Sequence, residues 1–326
     1  MSTMNGQQIK AMNFQRTQEQ KVFDNPDILE HDKIPLRRNV SEAGAIIHKA
    51  RLEQRREGLE RWVLFEDFGL VTPSGFLMMQ RIHNVIEFAR NLQLMIEWLD
   101  KKFKGDANSS AFRQVLLQER GIMKHTFFPH QKVHIAIDHL FTLRNEEWLN
   151  GEILDSVMDM FSVQYSYRGN FIFIPTHVIS AWPMILKDNS MWEWGKEQVQ
   201  KLVTDQEAKA FAIEITSNHW GALCIDFTKK VILFGDSLDG GVNSRLGDET
   251  LKNVRHWLHC CGVDVASWSK KRFDVAQQPR GLSGSCGIIA LNSIERCIDP
   301  SVERWSHQRS AYHRFRYLML LTRPYK

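Results

Sequence analysis

The chain has 326 residues, 43% of them apolar and 25% charged, with a formal net charge of +4. That length and apolar content build a full-sized core and exclude a largely disordered chain. Basic and acidic residues are near balance in both halves, so no basic tail points to nucleic acid, and none is expected as a partner.

No run approaches the 18 apolar residues of a membrane-spanning helix, so no membrane partner is expected. Residues 1–10 are polar and lack the apolar centre of a signal peptide. The expectation is an intracellular protein, in nucleus or cytoplasm. Its five cysteines, Cys224, Cys260, Cys261, Cys286 and Cys297, contain no CxxC pair and do not space like a disulfide framework. Reduced thiols are the default, which leaves at least one for chemistry.

Residues 1–38 are polar, with scattered charge, and read as a flexible arm. Ser41 is a suitable N-cap for a helix carrying Ile46, Ile47, Ala50 and Leu52 and running to Trp62. Pro73-Ser74-Gly75 marks a break. Ile82, Ile86, Ala89, Leu92, Ile96 and Leu99 then recur at spacings of three and four, which predicts an amphipathic helix. A shorter helix is expected over 110–120, so the extension at 39–130 reads as all-helical.

The texture changes after residue 130. A helix is expected over 146–161, and Phe171-Ile172-Phe173-Ile174 suits a buried strand. Residues 210–216 alternate as a strand does. Residues 220–227 and 231–234 are two more strands, joined by a turn at Thr228-Lys229-Lys230. Asp248 can cap a helix bearing Leu251, Val254 and Leu258, ended by Gly262. Residues 263–266 and 272–275 are weaker strand candidates, and helices follow over 286–297 and about 302–321. The region 131–326 is therefore α+β.

Cys286 sits in Gly284-Ser285-Cys286-Gly287, where a loop turns into a helix. A thiol at a helix N-terminus faces the positive end of the dipole, which favours the thiolate. His219 directly precedes one strand of the expected hairpin, and Asp236 ends the other. If the strands pair, both lie at one end of the sheet, where an acid can hold an imidazole that takes a thiol proton. Gln277 and Gln278 lie on the loop leading to Cys286, and either amide, with the Cys286 backbone N–H, could receive an oxyanion.

In that order, His219-Trp220, Asp236-Ser237, Gln278 and Ser285-Cys286-Gly287 resemble the ubiquitin-like proteases, also called SUMO or sentrin-specific proteases. Upstream, Glu147-Trp148-Leu149-Asn150-Gly151 resembles that family's Trp-Leu-Asn-Asp motif. The likeness covers roughly residues 138–321. The pattern around Trp305 and Arg314 is similar to divergent fungal members, some carried by transposable elements.

The resemblance implies a papain-like fold of the ubiquitin-like-protease type, a mixed sheet flanked by helices. It implies a cysteine peptidase or isopeptidase that needs no cofactor or metal. Its partner would be a ubiquitin-like modifier, SUMO-like, or its conjugates. Cys286 would be the nucleophile, His219 the base and then acid, and Asp236 its orienting acid. Gln278, or less readily Gln277, would be the oxyanion donor, and Trp148 and Trp220 a clamp on a Gly-Gly tail. Three departures stand out. The Gln278–Cys286 loop is longer than usual, Ser285 stands where better-studied members have Asp, and Gly151 replaces the motif's last Asp.

The competing readings are an inactive modifier-binding pseudoprotease, an acetyltransferase of the same clan, and a helical interaction protein. The acetyltransferase would need a basic pocket for a polyphosphate, which near-neutral halves do not favour. His256, His259 and Cys260 share a helix face but lack the second ligand pair of a structural zinc site. Lys270-Lys271-Arg272 reads as a solvated turn, and Trp192 and Trp194 as core.

Overall fold

The computed structural model of the chain describes residues 10–13, 61–65, 69–71, 73–118, 135, 137–176, 178–179, 196–197, 199–200, 203, 209–215, 219–238, 245–279 and 284–322. The chain forms two compact units, Met1–Asn91 and Leu92–Lys326. Composition places the change of texture near residue 130, whereas the boundary between units falls inside a helix. Trp192 and Trp194 lie outside the described residues.

In the first unit, β1 (Lys10–Asn13), β2 (Arg61–Phe65) and β3 (Gly69–Val71) form an antiparallel sheet in that order. The extension is therefore not all-helical. Arg61-Trp62-Val63-Leu64-Phe65 is rich in β-branched and aromatic residues, and Gly69-Leu70-Val71 gives it a partner strand. The rest of the helix expected from Ser41 lies outside the described residues. Pro73 opens α1 (Pro73–Lys102) rather than breaking the chain. At the first helical position a missing N–H costs nothing, because that group has no intrahelical acceptor.

The second unit takes in the end of α1 and α2 (Ala107–Gln118). Their apolar side chains Met95, Leu99 and Leu116 are buried, and Phe103 stacks on Phe315 with ring centroids 4.1 Å apart. The short α3 (Ile137–Leu140) follows. α4 (Gly151–Gln164) starts five residues later than its apolar pattern alone implies. Asn150 sets the start: its side chain accepts from the Ile153 N–H at 3.0 Å, as N-caps do.

The central sheet has the order β4 (Phe171–Ile174), β5 (Lys209–Ile215), β6 (Trp220–Asp226), β7 (Val231–Gly235), β8 (Ser269–Arg272). The outer pairs are parallel and the inner ones antiparallel. β8 is the correction to the strands expected at 263–266 and 272–275, and to the solvated turn at Lys270-Lys271-Arg272. All four of its residues are exposed. It pairs through its backbone, and charged side chains on an edge strand discourage pairing with another chain.

The two faces of the sheet separate by strand period. Ala210, Ala212, Leu223, Ile225, Ile232 and Phe234 form one core with Leu251, Val254, Trp257 and Leu258 of α5 (Arg245–Cys260). Phe211, Cys224 and Leu233 pair across the other face, on the side of α6 (Cys286–Ile298), which packs along β6. α7 (Ser310–Thr322) packs on α4 and α6. The Glu295 carboxylate of α6, fully buried, accepts from Tyr165 Oη at 2.7 Å, Tyr317 Oη at 3.0 Å and Arg316 Nη1 at 2.8 Å. A buried charge is tolerated when paired and hydrogen-bonded in this way.

His313 of α7 is fully buried, and neither ring nitrogen has a hydrogen-bond partner among the described residues. Burial, aided by the Arg316 charge, lowers its pKa from 6.5 to about 4. The unfolded chain thus takes up a proton here that the folded chain refuses. The contribution to stability is complete above pH 6.5 and is lost as pH falls toward 4. Its full size is roughly 3 kcal/mol. His313→Leu is expected to flatten the fall of the urea midpoint across that window. An unaltered fall would place the acid sensitivity elsewhere.

Candidate active site

β6 and β7 run antiparallel, with Ala222 opposite Gly235, so His219 before β6 and Asp236 after β7 come to one end of the sheet. His219 Nε2 lies 2.6 Å from Asp236 Oδ1. Both side chains are buried, and the second ring nitrogen, Nδ1, is left for another partner. The Leu238 N–H also donates to Asp236 Oδ1, at 2.8 Å. Burial raises the Asp236 pKa, but the His219 and Leu238 contacts outweigh it and hold the carboxyl below its usual range.

Cys286 is the first residue of α6 and 0% exposed. Its thiol is within hydrogen-bonding reach of His219. Burial lowers the imidazole pKa, yet the hydrogen bonds to Asp236 and Cys286 override it and bring the value to about 9. At neutral pH the ring is therefore an imidazolium between the Asp236 carboxylate and the Cys286 sulfur. Asp236→Asn removes the larger of the two upward contributions. It is expected to lower the His219 pKa by at least about one unit, read from the imidazole proton shifts in an NMR titration.

The two glutamines part company. Gln277 is exposed, while Gln278 is buried. The Gln278 backbone N–H donates to Ser237 O at 2.8 Å, and the Ser237 hydroxyl lies 3.4 Å from Gln278 Oε1. Gln278 is thereby tied to the residue after Asp236. The upstream motif arrives through Trp220, whose indole N–H donates to Leu149 O at 2.9 Å. Trp220 is buried, and Trp148 is half-buried beside that carbonyl.

One group goes beyond the sequence motifs. Arg314 of α7 is fully buried and donates to Thr142 O at 3.0 Å, Glu147 O at 3.0 Å and Gly284 O at 2.5 Å. It also lies 3.7 Å from Glu146 Oε2. Burial lowers its pKa to about 10, still charged at neutral pH, with Glu146, Glu147 and Cys286 pulling upward. One guanidinium therefore ties the Trp148 segment to the loop that delivers Cys286. Ser285 joins it by donating to the Glu146 carboxylate. The acid next to the Cys286 loop thus comes from Glu146, where Ser285 replaces the Asp that the resemblance implies.

Two glycines are fixed by this packing. A Cβ on Gly284 would meet Glu146 O at 1.7 Å, so only glycine lets the Cys286 loop lie against that segment. A Cβ on Gly151 would meet Thr176 Oγ1 at 2.6 Å. Thr176 is in turn bound to Asp155 through its N–H at 2.8 Å and its hydroxyl at 2.9 Å. The missing Asp of the upstream motif therefore has a packing reason in this chain. Arg314 could have been noticed in the sequence: it shares a helix face with Tyr317, Leu318 and Leu321, a lone charge on an apolar stripe.

Among the described residues, no group of three or more His, Cys, Asp or Glu side chains could hold a metal ion. Among them, too, no helix is long and apolar enough to cross a membrane.

A mixed sheet with a Cys at a helix start facing a His–Asp pair defines the class of papain-like cysteine peptidases. Residues 181–316 match the model of the Ulp1 protease family, C-terminal catalytic domain. Over those residues the chain is similar to the catalytic domain of this ubiquitin-like protease family. Among solved structures it is similar to the SUMO protease Ulp1 with its catalytic cysteine oxidised to a sulfenic acid. That match has 17% identity, covers 67% of this chain and 94% of that one, and has a TM-score of 0.52. The C-terminal Ulp1 protease domain in complex with Smt3, the yeast ortholog of SUMO, matches at 18% identity. It covers 67% of this chain and 95% of that one, with a TM-score of 0.50. At such identities the likeness establishes the α+β fold. No curated protein matches the chain in sequence.

Proposed function

We propose that the chain is a cysteine peptidase that cleaves after the C-terminal Gly-Gly of a ubiquitin-like modifier of the SUMO type, from precursors or conjugates. The observation that carries this reading is the buried line Cys286–His219–Asp236 at the start of α6. The family match and the Smt3-bound relative support the choice of modifier.

The Cys286 thiolate attacks the carbonyl carbon of the last glycine, forming the C–S bond. The negative charge moves to the carbonyl oxygen. The Gln278 amide and the Cys286 N–H, at the positive end of α6, receive that oxyanion. The intermediate collapses as His219 passes its proton to the leaving amine, and the C–N bond breaks. A water then loses a proton to His219 and attacks the thioester; the C–S bond breaks, the glycine carboxyl group leaves and gives its proton to solvent, and the thiolate–imidazolium pair is restored. Asp236 holds the ring in place through both steps.

Selection of the tail follows from the walls. A nucleophile with no exposed surface, on a loop tied to the segment that carries Trp148 and meets Trp220, favours a strand without side chains. Trp220→Ala is expected mainly to raise KM for a modifier ending in Gly-Gly. Gln278→Ala is expected to lower kcat by about 10²-fold with little change in KM, because its contact forms in the transition state.

The test is cleavage of a SUMO precursor carrying residues beyond Gly-Gly, followed by gel shift and mass of the product. Release of a Gly-Gly-ended product by the wild type and not by Cys286→Ala supports the reading. Turnover of ubiquitin precursors in preference to SUMO would overturn the choice of modifier. An intact precursor in every case would overturn the activity.

A further inference from the structure

The nucleophile occupies one end of α6, and a second thiol, Cys297, lies near the other. Cys297 is half-buried and its thiol interacts with that of the buried Cys224 of β6, the strand along which α6 packs. It also lines a cavity of about 310 Å³, walled by Phe211 and by Arg168, Lys209, Lys229 and Asp226. Two of these cations have acidic neighbours: Arg168 lies 3.3 Å from Asp299, and Lys229 Nζ 3.8 Å from Asp226. No step of peptide cleavage uses this cavity.

The thiols differ in acidity. The Cys224 contact lowers the Cys297 pKa to about 7. Burial and Asp226 act against it, and Lys209 and Lys229 act with it. Burial raises Cys260, the exposed thiol, and pushes Cys261 up to about 11. Cys224, for its part, is held well above the ordinary value by the Cys297 contact and by burial. A thiol with a pKa near ambient pH is the best attacker of a disulfide.

We propose that Cys297 is a modification site for a small anionic disulfide of the glutathione type, admitted by the cationic cavity and resolved by Cys224. The Cys297 thiolate attacks one sulfur of the reagent, forming a mixed disulfide and expelling one thiolate. Cys224, losing its proton to solvent, then attacks the Cys297 sulfur. A Cys224–Cys297 disulfide forms, and a second small thiolate leaves. Two protein thiols are oxidised and one reagent disulfide is reduced to two thiols. The product would fasten the strand that follows His219 to the helix that begins with Cys286.

The proposal goes beyond peptide cleavage, and its test does not depend on it. Full-length Cys286→Ala protein is treated with glutathione disulfide at neutral pH. Remaining thiols are then alkylated and the peptides mapped by mass spectrometry. The expected product is a Cys224–Cys297 crosslink. While Cys224 is present, the free Cys297 thiol is consumed at least about 5-fold faster than that of Cys260. With Cys224→Ala added, the reaction stops at one glutathione on Cys297. Lys209→Gln should slow this step for glutathione disulfide and leave an uncharged disulfide such as hydroxyethyl disulfide unaffected. Circular dichroism reports whether each variant is folded. Faster labelling of Cys260 than of Cys297 would overturn the site. A lasting adduct on Cys297 while Cys224 is present would overturn its resolving role. Equal slowing of both reagents by Lys209→Gln would overturn the role of charge.

Discussion

Cys286→Ala is expected to lower cleavage of a modifier precursor by at least about 10⁴-fold while the circular dichroism spectrum stays that of the wild type. The loss is large because, in the proposed mechanism, one atom serves both halves of the reaction. The sulfur is the attacking group and then the acyl carrier, and neither His219 nor Asp236 can replace it. The fold should persist because the change removes one sulfur from a position held by backbone contacts. Gly284 O accepts from Arg314, and Ser285 O accepts from the Ile289 N–H at 2.9 Å. A variant that retained measurable turnover on the same substrate would remove Cys286 from the mechanism. His219 should report the change as well. With the Cys286 contact gone, its pKa falls from about 9.

Arg314→Met is expected to cost both stability and nucleophile reactivity. The methionine fills much of the volume but donates no hydrogen bonds. Three carbonyls, on Thr142, Glu147 and Gly284, lose a donor, and Glu146 loses a nearby cation. Removing one partner of a buried, hydrogen-bonded charge costs about 3–5 kcal/mol, which a shift in the urea midpoint would show. The Gly284 loop would also lose its tie to the Trp148 segment. Alkylation of Cys286 by a small thiol reagent, measured per folded molecule, should therefore slow. Arg314→Lys keeps a charge but not a planar fork, and should fall between the two. A wild-type alkylation rate in folded Arg314→Met would confine the residue to packing.

The sequence showed the α+β core well because its elements are strongly patterned. The strand at Phe171-Ile172-Phe173-Ile174 and the turn at Thr228-Lys229-Lys230 sit where composition places them. The His219–Asp236 pairing followed from that turn, since a hairpin that short leaves little choice of register. β8 was hidden because Ser269-Lys270-Lys271-Arg272 has no apolar signal, and its pairing is backbone alone. α4 was shifted because Asn150, not the apolar stripe, sets where it begins. The roles of Arg314 and Glu146 are not recorded in any local motif: Glu146 meets Ser285 across 139 residues, and Arg314, visible only as a lone charge on an apolar stripe, meets Gly284 from another helix. Gln278, which the resemblance already favours, is the buried member of the pair, a difference that two adjacent identical residues do not reveal in sequence.

The most direct test of the central claim uses SUMO, ubiquitin and a NEDD8-type modifier, each ending in a thiol-reactive group after Gly-Gly. Each is incubated with the wild-type chain, and the adduct is mapped by mass spectrometry. The account predicts one adduct, on Cys286, with SUMO reacting well ahead of the other two and none forming in Cys286→Ala. An adduct on another cysteine, or none with any modifier while a small thiol probe still labels Cys286, would contradict it.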